Sequence, residues 1–106
     1  MKIAVVGPGA MGCLVAGFLK SRTKEEVWLF DKSPERAGKI RTDGIRIEGI
    51  SGQVHVKPGS SADAKEVGPC DLVIICVKSY STEDACKEIK EMVGDAALVL
   101  TLQNGI

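Results

Sequence analysis

Residues 3 to 19 constrain the fold more tightly than any other part of the chain. Ile3-Ala4-Val5-Val6 is a short, densely apolar run, the pattern of a strand covered on both faces. Gly7-Pro8-Gly9-Ala10-Met11-Gly12 follows, and apolar residues then fall at Met11, Leu14, Val15, Phe18 and Leu19. That spacing is i, i+3, i+4, i+7, i+8, the stripe of an amphipathic helix. A G-x-G-x-x-G turn alone is a weak signal, but between a strand and a helix it has a physical job. Gly7 permits a tight turn, Gly9 lets backbone approach a pyrophosphate, and Gly12 allows close packing of helix on strand. The helix start offers unpaired N–H groups to the phosphates. An acidic residue is then expected about 20 residues on, at the end of a second strand. Val27-Trp28-Leu29-Phe30 reads as that strand, and Asp31 ends it. Gly7, Pro8, Gly9, Ala10, Met11, Gly12 and Asp31 are therefore the candidate dinucleotide site, preferred over a turn that is merely rich in glycine.

The rest of the chain continues the alternation. Ser33-Pro34-Glu35 opens a helix, with serine as cap and proline at the first helical position. Ile45, Ile47, Val54 and Val56 alternate with polar residues around Gly49-Ile50-Ser51-Gly52, which predicts an antiparallel hairpin at one edge of the sheet. Lys57 to Ser61 reads as a loop, with a short helical turn after it. Asp71 to Val77 reads as a central parallel strand. A helix follows, capped by Ser81 or Ser79, with Ala85, Ile89 and Met92 inward and Gly94 ending it. Ala96 to Leu102 reads as the last strand. Strands alternating with helices imply a parallel sheet with right-handed crossovers: a doubly wound α/β domain with an edge hairpin, filling residues 1–106 without a linker.

Composition narrows the partners. At 106 residues the chain has room for one core and none for a second domain. Fourteen basic and fourteen acidic side chains cancel, so no net field draws nucleic acid or anionic lipid. Aromatic residues are 4% of the chain, which leaves little for base stacking. Cys13, Cys70, Cys76 and Cys86 include no C-x-x-C pair, and His55 is the single histidine, so no metal site is expected. Lys2 and the uncharged stretch from Ile3 to Leu19 resemble a leader only superficially, because Gly7-Pro8-Gly9 breaks the apolar run. Reduced thiols in a cytoplasmic protein are the expectation.

In an open α/β sheet, ligands sit beyond the carboxyl ends of the strands where strand order reverses. The polar residues there are Asp31 with Lys32, Lys78 after Val77, and Asn104 after Gln103. Position alone leaves Lys78 open as a loop lysine and Asn104-Gly105 open as an ordinary turn. His55 reads as a solvent-facing strand residue, Cys13 and Cys76 as small core hydrophobes. Lys87, Glu88, Lys90 and Glu91 read as a solvated helix face.

Three segments carry a resemblance: Met1 to Gly12, Val77-Lys78-Ser79-Tyr80, and Leu102-Gln103-Asn104-Gly105-Ile106. Together they resemble the N-terminal, Rossmann-type domain of ketopantoate reductase (2-dehydropantoate 2-reductase). The resemblance implies reduction of a keto acid, 2-dehydropantoate, to pantoate with NADP(H), on the way to pantothenate and coenzyme A. It implies that Lys78 and Asn104 contact the cofactor and that Asn104 also lies against the substrate. It places the general-acid lysine in a helical second domain absent from this chain. The 106 residues would then be the N-terminal part of a longer protein, holding no catalytic residue, binding dinucleotide without turnover, and able to self-associate through an uncovered surface. Many members of that family carry a basic residue where this chain has Asp31. A carboxylate there suits the ribose hydroxyls of NAD(H) and repels a 2′-phosphate, so NADH tolerance is expected. NADPH would be accommodated by Lys32, Arg36 and Ser33 if an exposed Asp31 swings aside. Two alternatives share parts of the pattern: the 3-hydroxyacid dehydrogenases, which lack the asparagine–glycine ending, and nucleotide-sensing regulatory modules, which give no reason for Lys78 with Asn104.

Overall fold

The computed structural model describes residues 1–7, 10–49, 52–76 and 90–101. In chain order the elements are β1 (Lys2–Val6), α1 (Ala10–Arg22), β2 (Glu26–Phe30), α2 (Pro34–Asp43), β3 (Ile45–Gly49), β4 (Gly52–Val56), β5 (Gly59–Ser61), α3 (Ala64–Val67), β6 (Cys70–Ile75) and β7 (Val93–Thr101). Five strands form one parallel sheet in the order β5-β2-β1-β6-β7. Strand order reverses between β1 and β6, whose last paired residues are Val6 and Ile75. The doubly wound α/β architecture stands.

The strands divide the core by simple alternation. Ile3 and Val5 of β1 join Ala16, Val27, Leu29 and Ile74 on one face, beneath α1. Ala4 and Val6 join Phe30, Val67, Val73 and Met92 on the other, where α3 lies. Sequential residues burying opposite faces is why these runs are apolar at every position.

Four details depart from the sequence expectation. The hairpin β3–β4 is antiparallel, but it forms its own two-stranded sheet and does not pair with the edge of the main one. Its apolar side covers α1: a side chain at Gly17 would stand 2.5 Å from Ile47 Cδ1 and 3.3 Å from Ile45 Cγ2. The edge position belongs to Gly59–Ser61, read above as loop, which pairs with Trp28 to Phe30. A three-residue strand containing glycine and two serines has no hydrophobic period to announce it. The inward face of α1 is also shifted. Gly12, Ala16 and Gly17 are buried and Leu14 is 44% exposed, so the helix docks by its small residues, with Val15 and Leu19 of the apolar stripe packed beside them. Gly94 lies inside β7 and ends no helix, with the Cys70 carbonyl close to it. The helix expected after Ser81 falls outside the described residues, although Met92 beyond it is fully buried as expected.

Candidate functional site

The β1–α1 junction is built around contact between two glycines. Gly7 has φ of 113°, a conformation that L side chains rarely adopt, and its N–H donates to the Phe30 carbonyl at 3.2 Å. A Cβ placed on Gly12 would stand 1.7 Å from the Gly7 carbonyl oxygen. The first turn of α1 is therefore laid directly on the end of β1, with its opening N–H groups at the carboxyl end of the sheet. The contact closes the helix onto the strand as a dinucleotide-binding turn requires, and the opening N–H groups of α1 are donors that a bound pyrophosphate would accept from. Beside it, the Cys76 N–H donates to the Val6 carbonyl at 2.7 Å, which holds the end of β6 against β1 at the reversal point.

Asp31 lies next to this junction, immediately after β2. Its side chain is 1% exposed. Oδ1 accepts from the Ser33 backbone N–H at 2.9 Å and from Arg36 Nη2 at 3.3 Å. Arg36 Nε stands 3.1 Å from Oδ2 as an ion pair, but that oxygen has no hydrogen bond. The backbone is held as well, with the Asp31 N–H donating to Ser61 at 3.0 Å. Arg36 reaches Asp31 because α2 begins between them: the Ser33 hydroxyl accepts from the Arg36 N–H at 3.4 Å as the helix cap. The expectation of an exposed Asp31 that can swing aside is corrected, since the carboxylate is buried and pinned. A buried acceptor oxygen lacking a hydrogen bond is nevertheless what a ribose-binding carboxylate would offer.

Of the other predicted residues, Lys32 is exposed in the bend that follows Asp31. Ala10 and Met11 begin α1. Pro8, Gly9, Lys78 and Asn104 lie outside the described residues. Gly7, Gly12 and Asp31 are brought together at the carboxyl end of the sheet. Arg36 was legible only as a nearby charge, and its pairing with Asp31 was not. The i, i+5 separation is not a helical neighbour spacing, so sequence gives no signal for it.

The described cysteines carry no visible chemistry. Cys13, Cys70 and Cys76 are outside any disulfide. Burial pushes all three thiols above their ordinary range, with the Asp31 charge adding to the effect at Cys13. Among the described residues no group of His, Cys, Asp and Glu could hold a metal, and no helix is long and apolar enough to cross a membrane. His55 is exposed on β4, with Nε2 2.8 Å from the Asp43 carbonyl.

Comparison with known proteins agrees with this geometry. The 2-dehydropantoate 2-reductase of Halobacterium salinarum is 38% identical over 107 residues, covering all of this chain and 35% of that protein. The crystal structure of a PanE/ApbA family ketopantoate reductase from Ralstonia eutropha superposes with a TM-score of 0.84 at 41% identity, over 99% of this chain and 35% of the other. A D-mandelate dehydrogenase solved with NADH and anilino(oxo)acetate superposes with a TM-score of 0.81 at 30% identity, over 100% and 34%. The chain thus spans about a third of the length of these relatives. The family model for ketopantoate reductase PanE/ApbA matches residues 3–106, and with the glycine turn and Asp31 in place the chain belongs to the ketopantoate reductase family.

Proposed function

We propose that this chain is the nicotinamide-dinucleotide-binding part of an oxidoreductase that reduces 2-dehydropantoate to pantoate. The observation that carries the reading is the direct packing of Gly12 on Gly7, which sets the start of α1, with its opening N–H groups, at the carboxyl end of β1 where a pyrophosphate would bind. When bound, the reduced nicotinamide supplies the hydride. In this reading Gly7, Pro8, Gly9, Ala10, Met11 and Gly12 cradle the pyrophosphate, and Asp31 and Lys32 face the adenosine ribose. Lys78 and Asn104 hold the nicotinamide end, and Asn104 also orients the keto acid. The acid that protonates the developing alkoxide comes from a second part of the protein, in keeping with relatives about three times this length. A related 2-keto acid is the second reading, favoured by the likeness to a D-mandelate dehydrogenase.

Calorimetric titration of the 106-residue chain with NADPH and NADH tests the binding half. Saturable binding of at least one is expected, without 2-dehydropantoate-dependent oxidation, because half a cleft neither positions the keto acid nor excludes water. Failure to bind either dinucleotide refutes the reading. Enzyme-like turnover by this chain alone would refute the division of labour.

A further inference from the structure

The two edges of the main sheet are finished differently. β5 is three residues long and packs against α2 and α3, so one edge is short and flanked by helices. β7 forms the other edge with nine residues, which include one charge, Asp95, and no proline, lysine or arginine to blunt it. Leu98 and Leu100 pair with Leu72 and Ile74, on the face that packs beneath α1, and Val99 pairs with Val73 on the opposite face. Leu98, Val99 and Leu100 are nevertheless 65%, 43% and 45% exposed. The core thus runs out to this edge on both faces and stops there uncovered. A strand at a sheet edge presents N–H and C=O groups to a further strand, and apolar side chains on both sides make it a template for one. Charge narrows the choice of that strand. The formal net charge of the chain is zero, so two copies do not repel, and an uncharged apolar segment suits a second copy of itself.

We propose that β7 pairs antiparallel with β7 of a second copy of this chain, about a two-fold axis at Val99, so that the two sheets become one. In that register Leu98 of each copy stands opposite Leu100 of the other, and these leucines cover one another on the α1 face. The Asp95 carboxylates fall four residues to either side of the axis, roughly 27 Å apart at about 3.4 Å per residue, beyond the range of their repulsion. Sedimentation equilibrium from micromolar to submillimolar concentration tests this. The mass of the wild-type chain should rise from 11.2 kDa toward twice that value. Leu98→Lys and Leu100→Glu each set a charge against a leucine, and each alone should weaken the dimer roughly ten- to a hundredfold. An equimolar mixture of the two variants should regain the dimer, because this register sets the introduced lysine opposite the introduced glutamate. Hydrogen exchange of the wild-type chain serves if a variant does not fold: β7 amides should exchange more slowly as concentration rises. A wild-type monomer throughout, or β7 exchange independent of concentration, overturns the proposal. So do folded variants that associate as tightly as wild type, which would place the contact on another surface, and species that grow past the dimer, which would exclude a closed two-fold pair. A mixture that stays monomeric overturns the register about Val99.

Discussion

Among the described residues three glycines lie within helices, and replacing each by alanine separates backbone propensity from packing. Gly12 and Gly17 are in α1 and Gly38 is in α2. In a helix interior the change to alanine favours folding by about 1 kcal/mol through propensity alone. What differs is the space each Cβ would enter. At Gly38 nothing lies within 4 Å, so Gly38→Ala should gain most of that amount. At Gly17 the first obstacle is Ile47 Cδ1 at 2.5 Å, the end of a flexible side chain that can turn away. Partial strain should there roughly cancel the gain. At Gly12 the obstacle is backbone, the Gly7 carbonyl oxygen at 1.7 Å, and no rotamer change relieves it. Either α1 lifts from β1 or the turn reshapes, at the upper end of the roughly 1–3 kcal/mol seen for overpacking or beyond it. Each kcal/mol corresponds to about 4–8 °C in Tm for a domain of this size. Thermal unfolding followed by circular dichroism should therefore rank the variants Gly38→Ala above wild type, Gly17→Ala near it, and Gly12→Ala far below. Dinucleotide titration should show a loss only for Gly12→Ala. A Gly12→Ala protein as stable as Gly38→Ala, with full dinucleotide affinity, would refute the reasoning.

Other expectations are simpler. Cys13, Cys70 and Cys76 should react slowly with a thiol reagent at pH 8, because burial holds them protonated. Their raised values also fix a sign. The unfolded thiols ionise above about pH 8.5 while the buried ones do not, so stability should be full below that pH and fall as pH rises; a melting series from pH 7 to 10 checks it. The Arg41–Glu66 ion pair joins side chains that are 55% and 46% exposed, so Arg41→Ala should cost no more than about 1 kcal/mol in denaturant unfolding. In a protein of the relatives' length, Asn104→Ala should lower kcat/KM by roughly ten- to a hundredfold. Lys78→Ala should in addition weaken cofactor binding, and wild-type kinetics in both would make them ordinary loop residues.

How legible the fold was depended on whether burial was uniform or partial. β1 and β6 are covered on both faces, so their apolar runs stand out from any neighbouring pattern. The β3–β4 hairpin was legible from its alternation, since only one side of it is covered. Its partner was not. Alternation marks which residues turn inward, but not whether they meet a sheet edge or a helix. Gly17 was the missing clue, because Ile47 and Ile45 of the hairpin approach where its Cβ would stand. The same physics hid the docking face of α1. Sequence patterns weight residues by hydrophobicity, so they pick out Val15 and Leu19, which pack on the core, but not the buried Gly12, Ala16 and Gly17 beside them, and they turn Leu14 inward where it is exposed.

The site shows a sharper division. The glycine turn was legible because its geometry is local: Gly7 and Gly12 are five residues apart, and their contact follows from one strand running into one helix. Asp31 was legible as a position but not as an electrostatic state. Its surroundings are set by Arg36, brought over it by the Ser33 cap that starts α2, and by Ser61, which anchors its backbone from the edge strand. At about 4 Å and an effective dielectric near 20, an isolated carboxylate would repel a like charge by on the order of 4 kcal/mol. A guanidinium already on that carboxylate opposes the repulsion with a term of similar size and opposite sign. Residue type at a motif position therefore gives one charge, while the field at the end of β2 is the sum over the pair, and that sum exists only once α2 has folded.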